Sequence, residues 1–469
     1  MQPSEVLPLA EQELFARVIR KALSQGGQYA DIFLEERRST TIHLEDRKVE
    51  KVVTGFSGGV GIRLIHDGKT AYAFTNDSSE ETLLELARSV SRAASGMGTQ
   101  LVLDMRKRVP SVRFPVLIPP ETVPMSRKID AVKAADRAAR GYHGAVRQVT
   151  VSCRDATQKV TVYSSEGFWA EDERVHTTGV VQVVAADGLT VQTGHENAGG
   201  LLGYELYDEQ SLESLALASA GRAVRMLGAR RAPGGRMPVV ISSEAGGTMI
   251  HEAIGHGLEA DLAQQGLSVY SGKIGQQVAS PMVTVIDDAT LPCKRGSFSF
   301  DDEGTPSRRN VLVKEGVLIG YLYDKHTAMV DSRESTGNGR RESYEHKPIP
   351  RMTNTFIAPG GAAPEEVLKS VSSGLYVIKM GGGQVNTVNG DFVFEVQEGY
   401  LIESGSVGEL VRGATLVGNG PEVLKSIDMV ASDLGFSIGT CGKDAQGVPV
   451  SDAMPTLRIS EIVVGGEVR

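Results

Sequence analysis

Residues 59–74 read GVGIRLIHDGKTAYAF and give the first clear indication of the fold. Apolar and polar residues alternate on both sides of Asp67-Gly68, a dipeptide that favours the tight turn of a β-hairpin. The runs YADIFLEER and TTIHLEDRKVEKVV precede it, so this part of the chain predicts about five short strands. Apolar residues at helical spacing in 11–25 and 80–94 predict a helix on either side of the strands. The pattern is that of an α+β domain.

The same order of helix, strands and helix recurs in the middle of the chain. An alanine-rich helical pattern at 125–142 is followed by alternating runs such as VHTTGVVQVVAADG and by another helical pattern. Residues 228–238, GARRAPGGRMP, mark a boundary because Gly and Pro interrupt regular structure. We therefore predict an α+β protein with two β-sheet domains flanked by helices, 1–105 and 106–232, and a larger β-rich domain, 233–469.

The composition is that of a globular protein and argues against several functional classes. The 469 residues carry 49 Lys+Arg and 58 Asp+Glu, a net charge of -9 that argues against general nucleic-acid binding. No apolar run approaches the roughly 18 residues needed to span a membrane, and the N-terminal segment lacks the pattern of a secretory signal. The three cysteines, Cys153, Cys293 and Cys441, are too few for a disulfide framework. This cysteine usage favours a cytoplasmic location, with Cys153 in the core and Cys293 in a loop.

The third domain opens with the strand MPVVIS and continues into MIHEAIGHGLEADL, which carries His251-Glu252 and then His256. The familiar zinc-protease motif H-E-x-x-H places its histidines four residues apart on one helix face. At about 100° per residue, the longer spacing leaves the two rings about 140° apart on a regular helix. Gly255 and Gly257 flank the second histidine. We therefore expect the helix to end or bulge between His251 and His256, which would bring the rings together.

A catalytic zinc site usually has three protein ligands and one open position. None of the seven other histidines is paired with a second one at ligand spacing. Cys441, in GTCGK, is the best third ligand because a thiolate binds zinc strongly and the neighbouring glycines allow close approach. Glu252 would then act as general base toward zinc-activated water. On the residues alone, a chance match of the motif and a buried turn cysteine remain open. Glu259 and Asp261 are expected to be solvated helix charges or supports of the ligands.

Arg340 and Arg341, in TGNGRRES, form a second candidate site. Two adjacent guanidinium groups suit an anion or a carboxylate. A solvated loop explains the same residues equally well.

The segments HEAIGHGLEAD, FSFDDEGTPS, STGNGRRES, GDFVFEVQEGYLIESG and GTCGKDAQGVPV follow one another as they do in the TldD/PmbA peptidases. The chain resembles the TldD side of that family. The resemblance implies a zinc-dependent peptidase with His251, His256 and Cys441 as metal ligands and Glu252 as the catalytic glutamate. It also implies a dimer, formed with a PmbA-like (TldE-type) subunit or with itself. Unfolded or short peptides would enter its enclosed interior and pair as an added strand.

Two other functions fit the same residues. A non-catalytic partner subunit would bind zinc or peptides without cleaving them, and a cysteine hydrolase would use Cys441 as nucleophile with His256. Ala445 and the segment SDAM, residues 451–454, depart from the glycine-rich run of the family. These departures are expected to affect specificity and to touch neither a ligand nor Glu252.

Overall fold

The computed structural model describes residues 9–94 and 103–467 and has the predicted mixed α+β character. Residues 1–8 and 95–102 lie outside the described part. The first range begins the N-terminal segment that was predicted not to be a secretory signal, and the second lies just before the predicted domain boundary at 105. None of the helices in the described residues is long and apolar enough to cross a membrane. Cys153 is buried and Cys293 is exposed, as predicted.

The first part of the chain contains three strands between two helices. Its elements are α1 (Leu9–Ala22), β1 (Tyr29–Glu45), β2 (Lys48–His66), β3 (Lys69–Thr75) and α2 (Glu80–Ser91). The predicted hairpin between β2 and β3 is present, and Asp67 and Gly68 both have positive φ, 47° and 67°, as a type I′ turn requires. The expected number of about five strands is wrong, because residues 36–41 continue β1 and residues 54–58 continue β2 along partly exposed faces instead of forming turns.

The middle part adds its strands to the same sheet. Its elements are β4 (Arg106–Lys107), a 3-10 turn (Pro120–Thr122), α3 (Met125–Tyr142), β5 (Val146–Ser164), β6 (Phe168–Asp187), β7 (Thr190–Leu201), α4 (Leu206–Glu209) and α5 (Leu212–Leu227). The strand order is β3-β2-β1-β5-β6-β4, with β7 beside β6. Because β1 pairs antiparallel with β5, from Asp31↔Ser164 to Glu45↔Thr150, the first two helix-flanked units share one continuous sheet.

The third part of the chain is rich in short strands. Up to the middle of this part, the elements are β8 (Arg230–Arg231), β9 (Gly235–Ile241), a 3-10 turn (Ser243–Ala245), α6 (Thr248–Ile250), a π-helical turn (His251–Gly255), a 3-10 turn (His256–Leu258), α7 (Ala260–Gln264), β10 (Val285–Asp288), β11 (Arg309–Lys314), β12 (Val317–Leu318), α8 (Lys325–Val330), β13 (Gly339–Arg340), β14 (Ile349–Pro350) and β15 (Asn354–Ile357). The remaining elements are α9 (Pro364–Lys369), β16 (Ser373–Val385), β17 (Asp391–Glu403), β18 (Ser406–Arg412), β19 (Thr415–Asn419), α10 (Gly420–Lys425), β20 (Ile427–Val430), β21 (Gly435–Lys443), β22 (Gln446–Met454) and β23 (Leu457–Gly465).

Two sheets of the third part enclose the helical segment 248–264. One has the order β12-β11-β10-β15-β22-β21 and the other the order β16-β9-β23-β19-β17-β18-β8, with β20 beside β23. Apolar side chains of the segment, including Met249, Ile254 and Leu258, are buried in the core that both sheets share. The segment follows β9 of the second sheet, and Cys441 lies on β21 of the first. Packing of the two sheets therefore brings the histidines and the cysteine together.

Buried contacts between arginine and carboxyl side chains join the sheet of the first two parts to the third part. The Arg63 guanidinium lies 2.7 Å from a Glu303 carboxylate oxygen, and both side chains are buried. Arg174 on β6 lies 2.7 Å from Asp302. The segment 301–303, from the predicted motif FSFDDEGTPS, is thus a structural contact between the parts.

Candidate metal centre

His251 and His256 lie on a distorted helical segment. Residues 251–255 form a π-helical turn in which the His256 N–H donates to the His251 carbonyl oxygen. This i→i+5 hydrogen bond places the second residue one wide turn after the first. The ring centroids consequently lie 5.0 Å apart with their planes at 87°. The bulge predicted from the spacing is present.

Gly255 and Gly257 leave space for side chains that pack against the turn, and neither glycine has an unusual backbone angle. Gly255 has ordinary helical angles, φ -54° and ψ -57°. A Cβ at Gly255 would lie 2.2 Å from Met352 Sδ, and a Cβ at Gly257 would lie 2.6 Å from Tyr270 Cδ2. The interpretation that glycine flexibility reorients His256 is therefore corrected: both glycines are required by close packing.

Two hydroxyl groups hold the segment from the adjoining loop. The Tyr270 hydroxyl donates to the Ala253 carbonyl at 2.9 Å, and the Ser268 hydroxyl donates to the Gly257 carbonyl at 2.6 Å. Both hydroxyl-bearing residues are buried. These bonds satisfy carbonyl groups in a region where the helical hydrogen-bond pattern changes from π to 3-10.

Three potential ligand atoms converge between the two sheets. Cys441 Sγ lies 3.2 Å from His251 Nε2 and 3.4 Å from His256 Nε2. The three donor atoms all lie within 4.8 Å of one another. A tetrahedral zinc with ordinary Zn–N and Zn–S bonds would separate nitrogen from sulfur by about 3.5 Å. The donor set and its spacing therefore fit a zinc ion.

Glu259 holds the His256 ring through the nitrogen that faces away from Cys441. Its carboxylate accepts a hydrogen bond from His256 Nδ1 at 3.0 Å, which leaves Nε2 facing the cysteine. Lys443 Nζ lies 3.1 Å from the same carboxylate, and Arg351 Nε lies 3.8 Å from its other oxygen. Burial opposes ionisation of Glu259, but Lys443, His256 and Arg351 outweigh it and lower its pKa to about 2. A solvated helix charge is thus wrong for Glu259, and the supporting role is the one that the structure shows.

Asp452 lies beside the other histidine. Its carboxylate oxygen is 3.8 Å from His251 Nδ1, a buried nitrogen without a hydrogen-bond partner in the described part of the chain. The expectation that the SDAM segment touches no ligand is therefore wrong. The physical reason is the strand register: Asp452 pairs with Ser437, which lies on the same face of β21 as Cys441. A second contact comes from Ser437, whose hydroxyl donates to Asp452.

The electrostatics of the site favour deprotonation of the thiol. Burial raises the pKa of Cys441, but hydrogen bonds and charge from His251 and His256 outweigh it and lower the pKa to about 5. Against the effect of burial, the Cys441 thiolate raises the pKa of His251, and Glu259 and Cys441 raise that of His256. A metal ligated by these groups would release the imidazolium protons, because a histidine ligates a metal only when neutral.

The structure brings together three of the four residues that the sequence singled out for the site, His251, His256 and Cys441. Glu252 follows His251 directly and is half-buried, and burial raises its pKa. Sequence reasoning missed Arg351 and Lys443. Of these two, only Lys443 could have been predicted from the sequence, because it lies two residues after Cys441 on the same strand and thus shares its face. Asp261, 2.7 Å from Lys443 Nζ, is a partner of that lysine.

Two imidazole nitrogens and one cysteine sulfur are a donor set that could hold a metal ion. Three family models match the chain: PmbA/TldA metallopeptidase domain 1 at residues 30–94, the central domain at 118–227 and the C-terminal domain at 234–466. The chain belongs to the PmbA/TldD family of metallopeptidases.

Among its relatives, the chain is similar to proteins of the TldD type. It is 38% identical over 447 residues to the "Metalloprotease TldD homolog" of Haemophilus influenzae, which covers 93% of both chains. It is 26% identical over 455 residues to the "Zinc metalloprotease TldD homolog" of Saccharolobus solfataricus, covering 96% of this chain and 100% of the relative. The solved structure of TldE from Thermococcus kodakarensis shares the fold, with a TM-score of 0.75 at 18% identity, over 97% of this chain and 100% of that one.

Proposed function

We propose that this protein is a zinc-dependent peptidase that hydrolyses unfolded or short peptides. His251, His256 and Cys441 would hold the zinc, and Glu252 would act as general base. The observation that carries the proposal is the convergence of two imidazole nitrogens and one sulfur within 4.8 Å of one another. The name of the Saccharolobus solfataricus relative, a zinc metalloprotease, supports zinc as the metal.

Zinc in such a site supplies a Lewis acid that activates water and polarises a peptide carbonyl. Glu252 adds the proton transfer. Its carboxylate would accept a proton from the attacking water and deliver it to the amine that leaves. Partial burial raises the pKa of Glu252, which makes the carboxylate a stronger base than an exposed glutamate.

The peptide would bind along β21. This strand stands at the end of its sheet in the order given above and carries Cys441. An extended peptide that pairs with such an edge gains backbone hydrogen bonds whatever its sequence, which suits unfolded substrates.

We further propose that the protein works in the cytoplasm as a dimer that encloses this edge. The likeness to TldE supports a TldE-type subunit as the partner, and self-association is the alternative.

A cysteine hydrolase is the second candidate. The lowered pKa of Cys441, about 5, and its contacts with two histidines favour a thiolate that could also serve as a nucleophile. Two observations favour the metal site. Cys441 is only 4% exposed, and both Nε2 atoms point at the same sulfur, as ligands of one metal would.

The test of the general base is Glu252→Gln, which keeps the shape of the side chain and removes its basicity. We expect the variant to retain zinc at wild-type stoichiometry and to lose peptide cleavage. Glu244→Gln, at an exposed position on the same stretch of chain, is the matched control and should cleave normally. Unchanged cleavage by Glu252→Gln would remove the proposed base.

Metal removal separates the two candidate enzymes. On the zinc mechanism, a chelator abolishes cleavage and added zinc restores it. On the thiol mechanism, cleavage survives complete removal of metal. Cys441→Ser discriminates independently of activity, since it should lower the zinc content in the first case and leave it unchanged in the second.

A further inference from the structure

A partly open cavity of about 170 Å³ lies between the shared sheet and the third part of the chain. We call it the arginine cavity, because six arginines line it: Arg37, Arg154, Arg174, Arg295, Arg340 and Arg341. Its floor is one face of the sheet, where Arg37 of β1 is opposite Gln158 of β5, which is opposite Arg174 of β6. Arg154 shares this face because it lies four residues before Gln158 on the same strand.

The positive charge of the cavity is only partly neutralised by the two acidic residues of its lining, Asp302 and Glu342. Arg174 is paired with Asp172 and Asp302, at 3.0 and 2.7 Å. Arg341 lies 3.9 Å from Asp31. In the described part of the chain, the other cavity arginines have no carboxylate within 4.0 Å of their guanidinium groups. The four that have no such partner come from different places along the chain: Arg37, Arg154, Arg295 and Arg340. Like charges gathered in a partly buried space are unfavourable unless an anion joins them.

The titration behaviour of two groups agrees with an excess of positive charge. Burial, together with the nearby charges of Arg154 and Arg37, lowers the pKa of Arg295 to about 10. His176, also on the cavity wall, has a pKa well below its usual value through burial and the nearby Arg295. Its Nε2 lies 3.1 Å from the Arg295 carbonyl, which accepts the hydrogen bond from a neutral ring. Both effects oppose any further positive charge in the cavity.

Hydrogen-bond donors also remain available. Nε of Arg295 and Nε of Arg341 are buried and have no hydrogen-bond partner in the described residues. Guanidinium groups bind carboxylate and phosphate oxygens through pairs of N–H bonds, so unpaired donors of this kind suit an oxyanion. The cavity is large enough for one such group. The prediction of a solvated loop at Arg340 and Arg341 is wrong, since these residues are only 5% and 3% exposed.

The cavity adjoins the hairpin that carries Cys441. Thr440, Gly447 and Pro449 of β21 and β22 line it. Arg295 donates to the Gly439 carbonyl and lies 3.4 Å from the Thr440 hydroxyl. Side chains alternate along a strand, so Thr440 faces the cavity while Cys441 faces the metal centre. An occupant of the cavity would thus neutralise the arginine that holds this hairpin in position.

We propose that the arginine cavity is a binding site for a small oxyanion, which joins the shared sheet to the β21–β22 hairpin. A free phosphate ion and the carboxylate of a bound peptide present the same chemistry to these arginines. No cavity arginine is the proposed general base or a proposed metal ligand. The proposal of an oxyanion site can therefore be tested independently of peptidase activity.

The test uses the full-length protein and inorganic phosphate as the probe, at constant ionic strength with chloride as the reference. Calorimetry should show saturable phosphate binding, and the melting temperature should rise with it. The double variant Arg37→Gln/Arg154→Gln should bind roughly 100-fold more weakly, since each lost charged hydrogen bond is worth about tenfold. The control is Arg38→Gln, which lies next along β1 on the opposite face and should bind as the wild type does.

A second readout does not require binding. In phosphate-free buffer the double variant should melt above the wild type, because two unneutralised charges have been removed. The single variant Arg154→Gln, at an exposed position, should show both effects in part and covers the case in which the double variant does not fold. Absence of saturable binding together with an unchanged melting temperature of the variants would overturn the proposal. Equal weakening by Arg38→Gln would do the same.

Competition distinguishes the two sources of the anion. Displacement of bound phosphate by a peptide with a free C-terminal carboxylate, but not by its C-terminal amide, identifies the peptide as the occupant. If neither peptide displaces phosphate, the occupant is a free ion. Either result supports an oxyanion site, and both presuppose the saturable binding on which the proposal rests.

Discussion

Gly255→Ala should damage the metal centre through a contact with Met352. The added Cβ would lie 2.2 Å from Met352 Sδ, whereas an ordinary contact needs about 3.5 Å. A displacement of about 1.3 Å is therefore required in a region where Met352 is fully buried. Overpacking of this kind costs about 1–3 kcal/mol. Because the π-helical turn sets the distance between the two rings, we also expect the affinity for zinc to fall about tenfold or more.

The assay is urea unfolding, combined with zinc competition against a chelating dye, on a double-mutant cycle. Met352→Ala alone should cost about 2–5 kcal/mol through the cavity that it leaves. In that background, Gly255→Ala should cost almost nothing, which gives a coupling energy of about 1–3 kcal/mol. Gly361→Ala is the control, because a Cβ there meets nothing within 4 Å. An equal cost of Gly255→Ala in both backgrounds would refute the reasoning.

Two further predictions concern buried carboxylates. Glu259→Gln should weaken zinc binding about 10–100-fold while leaving the fold intact, as measured by dye competition and circular dichroism; wild-type affinity would exclude a supporting role. Burial, Asp324 and Asp301 raise the pKa of Glu303 to about 8, despite the opposing effect of Arg63. Glu303 therefore gains a proton on folding, and the free energy of unfolding should fall as the pH rises from about 4.5 to about 8, by up to about 1.4 kcal/mol per pH unit. Glu303→Gln should flatten this decline in urea unfolding at pH 5.5 and 8.5, and an unaltered slope would contradict the raised pKa.

Local patterns in the sequence predicted the local structure. Asp67-Gly68 forms the expected turn, and the spacing of His251 and His256 led to the expected bulge. Residue types also indicated Cys441 as the third donor, because thiolate is the strongest zinc ligand that the chain offers beside the histidines. The turn and the bulge were predictable because each depends on residues close in sequence. The structure places Cys441 beside both histidines, and its role as a zinc ligand stays a prediction.

Long-range pairing could not be predicted in this way. Nothing local indicates that β1 pairs with β5, more than 100 residues away, so the two helix-flanked units gave no sign of sharing a sheet. Glu259 resembles a solvated helix charge in sequence. Its burial depends on Lys443 and Arg351, which are distant in the chain and neutralise it. The register between β21 and β22 places Asp452 next to His251, and the sequence does not specify that register.

The central claim is that zinc is held by two imidazole nitrogens and one thiolate sulfur. X-ray absorption at the zinc edge of the purified protein tests it directly. We predict one sulfur neighbour at about 2.3 Å and two imidazole nitrogens at about 2.0–2.1 Å, and loss of the sulfur neighbour in Cys441→Ser. A spectrum without sulfur in the wild-type protein, or a sulfur signal that persists in Cys441→Ser, would contradict the account.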